Sequence, residues 1–220
     1  MGWITHSKSM QKIYKAITYI TYPGFVSLLG FFLVSKNLGN NTLPILVSAC
    51  VLMGVIPLSF VFIMTKRKHF ESIHLKHIRE RKKAVLLTIV CLAIFTSVAY
   101  YFGNDKSLQV FNSLILLSLF VQYMFNSANI KISIHLLSIT AFLMYFFIHS
   151  SYLINAINLT SNGILLSQKQ WMVLILLIIS LVYLSRLKLK AHSPFELNLG
   201  IIIGVSITFI NEYIWHVLWN

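Results

Sequence analysis

The stretch SRLKLKAHSPFELNLG, residues 185–200, joins two strongly apolar segments and carries Arg186, His192 and Glu196 close together. Five residues separate the arginine from the histidine, and three separate the histidine from the acid. Ser193-Pro194 predicts a helix start, with Ser193 as cap and Pro194 in the first helical position. His192 then stands just before the helix and Glu196 about one turn in, near enough for the carboxylate to hold the imidazole. The free amides of the same helix end face any anion bound there. A plainer reading of the same residues is open. Ser193-x-x-Glu196 is also a capping box, and Arg186, Lys188 and Lys190 snorkel readily at a membrane boundary.

The flanking segments decide the fold class. Of 220 residues, 57% are hydrophobic and 10% charged, whereas a soluble domain carries about a quarter charged residues. Apolar runs of nearly membrane-spanning length recur, so the chain reads as one integral membrane domain over residues 1–220. An all-α, polytopic transmembrane bundle follows, because helices satisfy their own backbone in lipid. Seven spans are expected, at about Ala16–Val34, Leu43–Met64, Ala84–Phe102, Leu108–Phe125, Ile132–His149, Trp171–Leu184 and Phe195–Leu218. The count is six if one of the short runs, from Ile132 or from Trp171, fails to cross. Pro23 marks a kink in the first span, which reads as retained and not as a cleaved leader.

The net charge of +13 points to cytoplasmic loops or anionic lipid. No nucleic-acid partner is expected. Cys50 and Cys91 fall inside apolar runs, which argues against a disulfide framework. His69, Glu71, His74 and His77 have metal-ligand chemistry, but they lie in the basic stretch Thr65–Lys83, which repels a cation. No metal or cofactor is expected. Phe70, Ile73 and Ile78 lay part of that stretch on the membrane surface. Asn112 and Gln122 read as helix–helix hydrogen bonds or as site lining. Asn40-Asn41-Thr42 and Asn158-Leu159-Thr160 are glycosylation sequons.

The spacing around His192 resembles the last signature of the type 2 phosphatidic acid phosphatase and vanadium haloperoxidase family, where the acid is usually Asp and here is Glu196. Ser133-Ile134-His135 sits where that family carries Pro-Ser-Gly-His. Ser and His match, and isoleucine replaces both Pro and Gly. The family's first signature, Lys, six residues, Arg-Pro, is absent. Lys76 and Lys83-Ala84 keep its spacing. Arg79-Glu80-Arg81 is the alternative and is similar to a Glu-Arg element of short bacterial members. Arg79 and Arg81 are favoured because guanidinium binds phosphate oxygens bidentately. The resemblance covers roughly Lys76–Gly200, within a core of about residues 66–218.

The resemblance implies a helical bundle with its site at one membrane surface. It implies hydrolysis of a lipid phosphate or isoprenoid pyrophosphate through a phosphohistidine, without metal. His192 would be the nucleophile, Glu196 its orienting acid and His135 the acid for the leaving group. Arg186, Lys131, Ser133, Arg79 and Arg81 would hold the phosphate. An even number of spans separates the three pieces, which returns each to the same face. The alternative is a non-catalytic membrane protein that binds anionic phospholipid or scaffolds a partner. A transporter fits less well, since the polar residues gather at one face and not at mid-membrane. With seven spans, all but Lys36, Lys106 and Lys169 of the 18 Lys and Arg lie on the face of the site. That bias makes the site's face, and the N-terminus, cytoplasmic. The short loops suggest a bacterial inner-membrane protein.

Overall fold

A computed structural model describes residues 8–35, 41–71, 75, 77–102, 105–149 and 168–219. Every regular element among them is helical: α1 (Lys8–Ile20), α2 (Pro23–Ser35), α3 (Thr42–Lys66), α4 (Ile78–Phe102), α5 (Lys106–Ser127), α6 (Ile134–Ile148), α7 (Gln168–Lys188) and α8 (Pro194–Trp219). The sequons at Asn40 and Asn158 involve residues outside those described. Helices α3, α4, α5, α7 and α8 are long and apolar enough to cross a bilayer. Their outward faces carry Leu43, Phe62, Leu176, Leu177, Phe209 and Ile210, side chains that water disfavours and lipid accepts. The chain is an integral membrane helical bundle.

Seven spans were expected, and the structure supplies five, or six if α1 and α2 count as one bent span. Those two helices meet at 49°, because Pro23 has no N–H with which to continue α1. Helix α6 has 15 residues, about 22 Å at 1.5 Å per residue, short of a hydrocarbon core of about 30 Å. Helix α4 begins at Ile78, six residues before the expected Ala84, which puts Arg79, Glu80 and Arg81 in its first turn. Glu80 suits that place electrostatically, and its Oε1 accepts the Glu71 amide at 2.6 Å. Within α3, Cys50–Val55 is π-helical just ahead of Pro57. A widened turn there accommodates the proline's missing donor.

Two apolar clusters hold the helices together. The larger runs through α2, α3, α4, α5 and α6, with Phe31 edge-on to Phe95 and Phe111 at 4.6 and 5.3 Å, and Phe111 against Tyr145 at 5.1 Å. The smaller joins α2, α6, α7 and α8 through Leu136, Val182 and Leu197, with Ile17 of α1 packed on it.

The closest helix pair is α6 and α8. A Cβ built on Gly200 would lie 2.8 Å from the Ser133 carbonyl, and one on Gly204 2.8 Å from the Leu137 carbonyl. Thr208, one turn on, bonds its own helix at Gly204 O (2.9 Å) and reaches Ala141 O (3.4 Å). This is the small-residue seam by which membrane helices bring backbones together. Gly200→Val or Gly204→Val is therefore expected to lower stability by about 1–3 kcal/mol through overpacking. Gly54→Ala, whose nearest neighbour would be a Leu28 methyl at 3.5 Å, should be nearly neutral. Thermal unfolding in detergent checks the contrast, and equal midpoints for all three variants would contradict it.

Candidate functional site

The first turn of α8 resolves the two readings of residues 193–196. Ser193 Oγ accepts the Glu196 amide at 3.3 Å, so the serine does cap the helix. The Glu196 carboxylate does not complete the capping box. Its Oε2 lies 2.6 Å from His192 Nδ1. The side chain of His192 is only 3% exposed, so little water competes for that bond. Lys131 Nζ stands 3.8 Å from the same carboxylate oxygen and donates to Ala191 O at 3.2 Å.

Helix α6 brings its own N-terminus to this point. Ser133 occupies the cap position with extended backbone, yet its hydroxyl makes no capping bond. Its amide donates to Glu196 O at 3.2 Å, which ties the start of α6 to the start of α8. His135 follows in the first turn of α6 and is buried. Arg186 comes from the last turn of α7. Arg81 comes from the first turn of α4, its Nε donating to Leu75 O at 2.7 Å. His135 lies within electrostatic reach of Arg186, His192 and Arg81, and Arg81 within reach of Glu196. Ser133 Oγ, His135 Nδ1 and Arg186 Nε are buried with no hydrogen-bond partner among the described residues. Buried polar groups are normally paired, and here three unpaired ones belong to one cluster.

The structure thus brings together Arg81, Lys131, Ser133, His135, Arg186, His192 and Glu196. Arg79 is exposed and is not brought into the cluster, because helical geometry turns it away from the face that Arg81 presents. Of the ligand-like residues in the basic stretch, Glu71 pairs with His77 at 2.9 Å on the surface, and His74 lies outside the described residues. Phe70 is buried against Phe60 at 5.9 Å and does not lie on a surface. Sequence reasoning missed Ser185, Thr18 and Tyr22. Ser185 Oγ donates to Tyr14 O at 2.8 Å and lies 3.0 Å from Thr18 Oγ1. The Tyr22 ring meets His135 edge-on at 6.1 Å. The available signal was the apolar and hydroxyl spacing Tyr14, Ile17, Thr18, Thr21 along α1.

Chemically, this is a neutral imidazole held by a carboxylate, a second buried imidazole, a free hydroxyl and three cations. That set suits a tetrahedral or trigonal-bipyramidal anion. Burial is the largest influence on His192 and lowers its pKa from 6.5 to about 4. The Glu196 bond opposes the shift, while Arg186 and Lys131 reinforce it. The chain matches no described protein family, no curated protein and no solved structure.

A lowered histidine pKa has a definite stability sign. Above about pH 6.5 the imidazole is neutral in both folded and unfolded chains. Between about 6.5 and 4 only the unfolded chain takes the proton, so stability falls as the pH is lowered across that window and levels off below it. A histidine-selective NMR titration should place the His192 pKa near 4. Glu196→Gln should lower it further, because the favourable partner of the imidazolium is gone. A midpoint near the ordinary value would contradict the geometry.

Proposed function

We propose that this protein is a membrane-embedded phosphatase that hydrolyses a lipid phosphate or isoprenoid pyrophosphate through a phosphohistidine. The observation that carries the reading is the 2.6 Å bond from His192 Nδ1 to Glu196. It fixes the tautomer, with the proton on Nδ1 and the lone pair on Nε2, which is the form a nucleophile needs. The low pKa supports the same role, since the ring is neutral at physiological pH.

In the first step Nε2 of His192 attacks phosphorus. The phosphorus–oxygen bond to the alkoxide breaks, and that alkoxide takes the proton that the bound phosphate monoanion has passed to His135, a proton returned to phosphate when the cycle ends. Arg81, Lys131, Arg186 and the Ser133 hydroxyl hold the equatorial oxygens as charge develops on them. In the second step His135, now neutral, takes a proton from water. The resulting oxygen nucleophile displaces His192, releasing inorganic phosphate and restoring both rings. The site lies where the chain enters α6 and α8, at one end of apolar helices. A phosphorylated head group at that end leaves its chains in lipid.

Purified protein in detergent with chelator should release phosphate from a short-chain lipid phosphate. His192→Ala should abolish release, and His135→Ala should slow an alkyl leaving group about 10²–10⁴-fold. Phosphate-lipid binding without release in the wild type would replace this reading with the binding-only one.

The proposal extends to sidedness. The N-terminal helix, Arg81, Lys131 and Arg186 converge at one end, and most of the basic residues follow them, so that end faces the cytoplasm of a bacterial inner membrane. Single cysteines at Arg67 and Lys169, both exposed, test it in a background lacking Cys50 and Cys91. An impermeant thiol reagent on intact cells should modify position 169 and spare position 67. The opposite pattern would turn the site outward.

A further inference from the structure

No acidic residue precedes Glu71 in the sequence, and none lies between Arg186 and Glu196. These two acid-free stretches meet at the site end of the bundle. Ser185 Oγ donates to Tyr14 O at 2.8 Å and lies 3.0 Å from Thr18 Oγ1, which fixes the middle of α1 against α7. Ile17 packs into the smaller apolar cluster from the same side. The inner face of α1 is thus Tyr14, Ile17 and Thr18, and the rest of the helix faces outward.

The helical period divides that outward part into two rows. Lys12, Lys15 and Tyr19 form one, at i, i+3 and i+7, and all three are exposed. Ile13 and Ile20 form the other, on either side of Ile17, and are 53% and 74% exposed. Water disfavours the second row and hydrocarbon the first, so the boundary between them is the one place that serves both. The level of α1 agrees. Helix α7 has 21 residues, about 31 Å, which matches one hydrocarbon core, and α1 meets it one turn from its end. The 49° bend ahead of α2 turns α1 off the direction of that helix.

The end of α7 supplies the same charge. Lys188 stands three residues beyond Ser185, on the side of α7 that α1 meets, and is exposed. Lys190 is also exposed and has a left-handed backbone, with φ 53°, a conformation that suits glycine and costs lysine energy. Among the described residues, none of Lys12, Lys15, Lys188 and Lys190 is in an ion pair.

We propose that α1 is an interfacial helix, and that Lys12, Lys15, Lys188 and Lys190 form a surface that binds the head groups of anionic phospholipid while Ile13 and Ile20 enter the acyl layer. The bilayer supplies the counter-charge that these stretches of chain lack. The surface uses none of the residues of the anion cluster, and its tests need no turnover, so it stands or falls apart from the phosphatase reading.

The first test uses the full chain in phosphatidylcholine vesicles with spin-labelled lipids. At low salt the wild type should immobilise labelled phosphatidylglycerol in preference to labelled phosphatidylcholine, and added salt should weaken the preference. Lys12→Gln, Lys15→Gln, Lys188→Gln and Lys190→Gly combined should cut it about threefold or more, since each lysine near an anionic surface contributes. A control removes as many exposed charges elsewhere, through Lys66→Gln, Arg67→Gln, Lys68→Gln and Lys83→Gln, and should cut it less than about twofold. Equal losses in the two variants would mean that net charge alone acts, and would overturn the proposal. The second test reads depth. Nitroxides on Lys12→Cys, Ile13→Cys, Lys15→Cys and Ile20→Cys, each in a background lacking Cys50 and Cys91, report collisions with oxygen in lipid and with a nickel chelate in water. Positions 13 and 20 should favour oxygen, and positions 12 and 15 the nickel chelate. Four positions alike in water would take α1 off the bilayer and overturn the proposal. The expected depths with no lipid preference in the wild type would assign the lysines to an acidic protein partner and overturn the lipid assignment.

Discussion

Two helix N-termini are locked side by side by one backbone hydrogen bond, from the Ser133 amide to the Glu196 carbonyl. The bond exists because Gly200 and Gly204 let α8 approach the carbonyls of Ser133 and Leu137. Helix ends carry a partial positive charge and free amides. Two of them held together make a fixed positive field with no side chain yet counted. Lys131, Arg186 and Arg81 add full charges to the same region, and the Glu196 carboxylate is bonded within it.

That excess has a cost, since like charges brought together in a partly dry place repel. Rigid elements must hold the cations there. Arg186 rides the last turn of α7, Arg81 the first turn of α4, and Lys131 is anchored to Ala191 O. A ligand of opposite sign would relieve the strain, and binding to the folded state alone stabilises it. The same field has a second effect. It disfavours a proton on His192, acting with burial against the pull of Glu196. One charge distribution thus favours an anion and disfavours a proton on the His192 imidazole, two requirements that the proposed reaction would otherwise set against each other.

Much of this was legible because membrane spans and helix starts leave strong local marks. The apolar runs located α3, α4, α5, α7 and α8, and Ser193-Pro194 located the start of α8. The pairing of His192 with Glu196 was readable from their spacing, since an i, i+4 pair across a helix start faces one way. Three things were not readable. The apolar signal begins after the charged turn, so the six extra residues of α4 and the choice between Arg79 and Arg81 depended on which charges a helix face buries. Pro23 could be read as a kink, but the 49° bend it causes depends on what α1 packs against. The contact of Thr18 with Ser185 spans 167 positions of chain, and no local pattern encodes such a meeting.

The far end of the bundle shows how the site end can hold so much charge without unravelling. Helix α8 runs about 24 Å from Glu196 to Glu212, at 1.5 Å per residue. At that distant end Glu212 bonds His149 at 3.0 Å, and Tyr145, fully buried, donates to Ser107 O at 3.1 Å. Ser113 links Asn211 and Trp215 at 2.8 and 2.6 Å, while Asn112 reaches Thr96 at 2.6 Å. These polar bonds tie α4, α5, α6 and α8 where lipid offers no substitute partner, and each contributes modestly. Together with the phenylalanine cluster they fix helix directions far from the cations. Cohesion and charge are therefore separated along the helix axes. The same helices that are fastened to one another at one end present mutually repelling groups at the other. That division lets a destabilised, reactive arrangement persist in a stable fold.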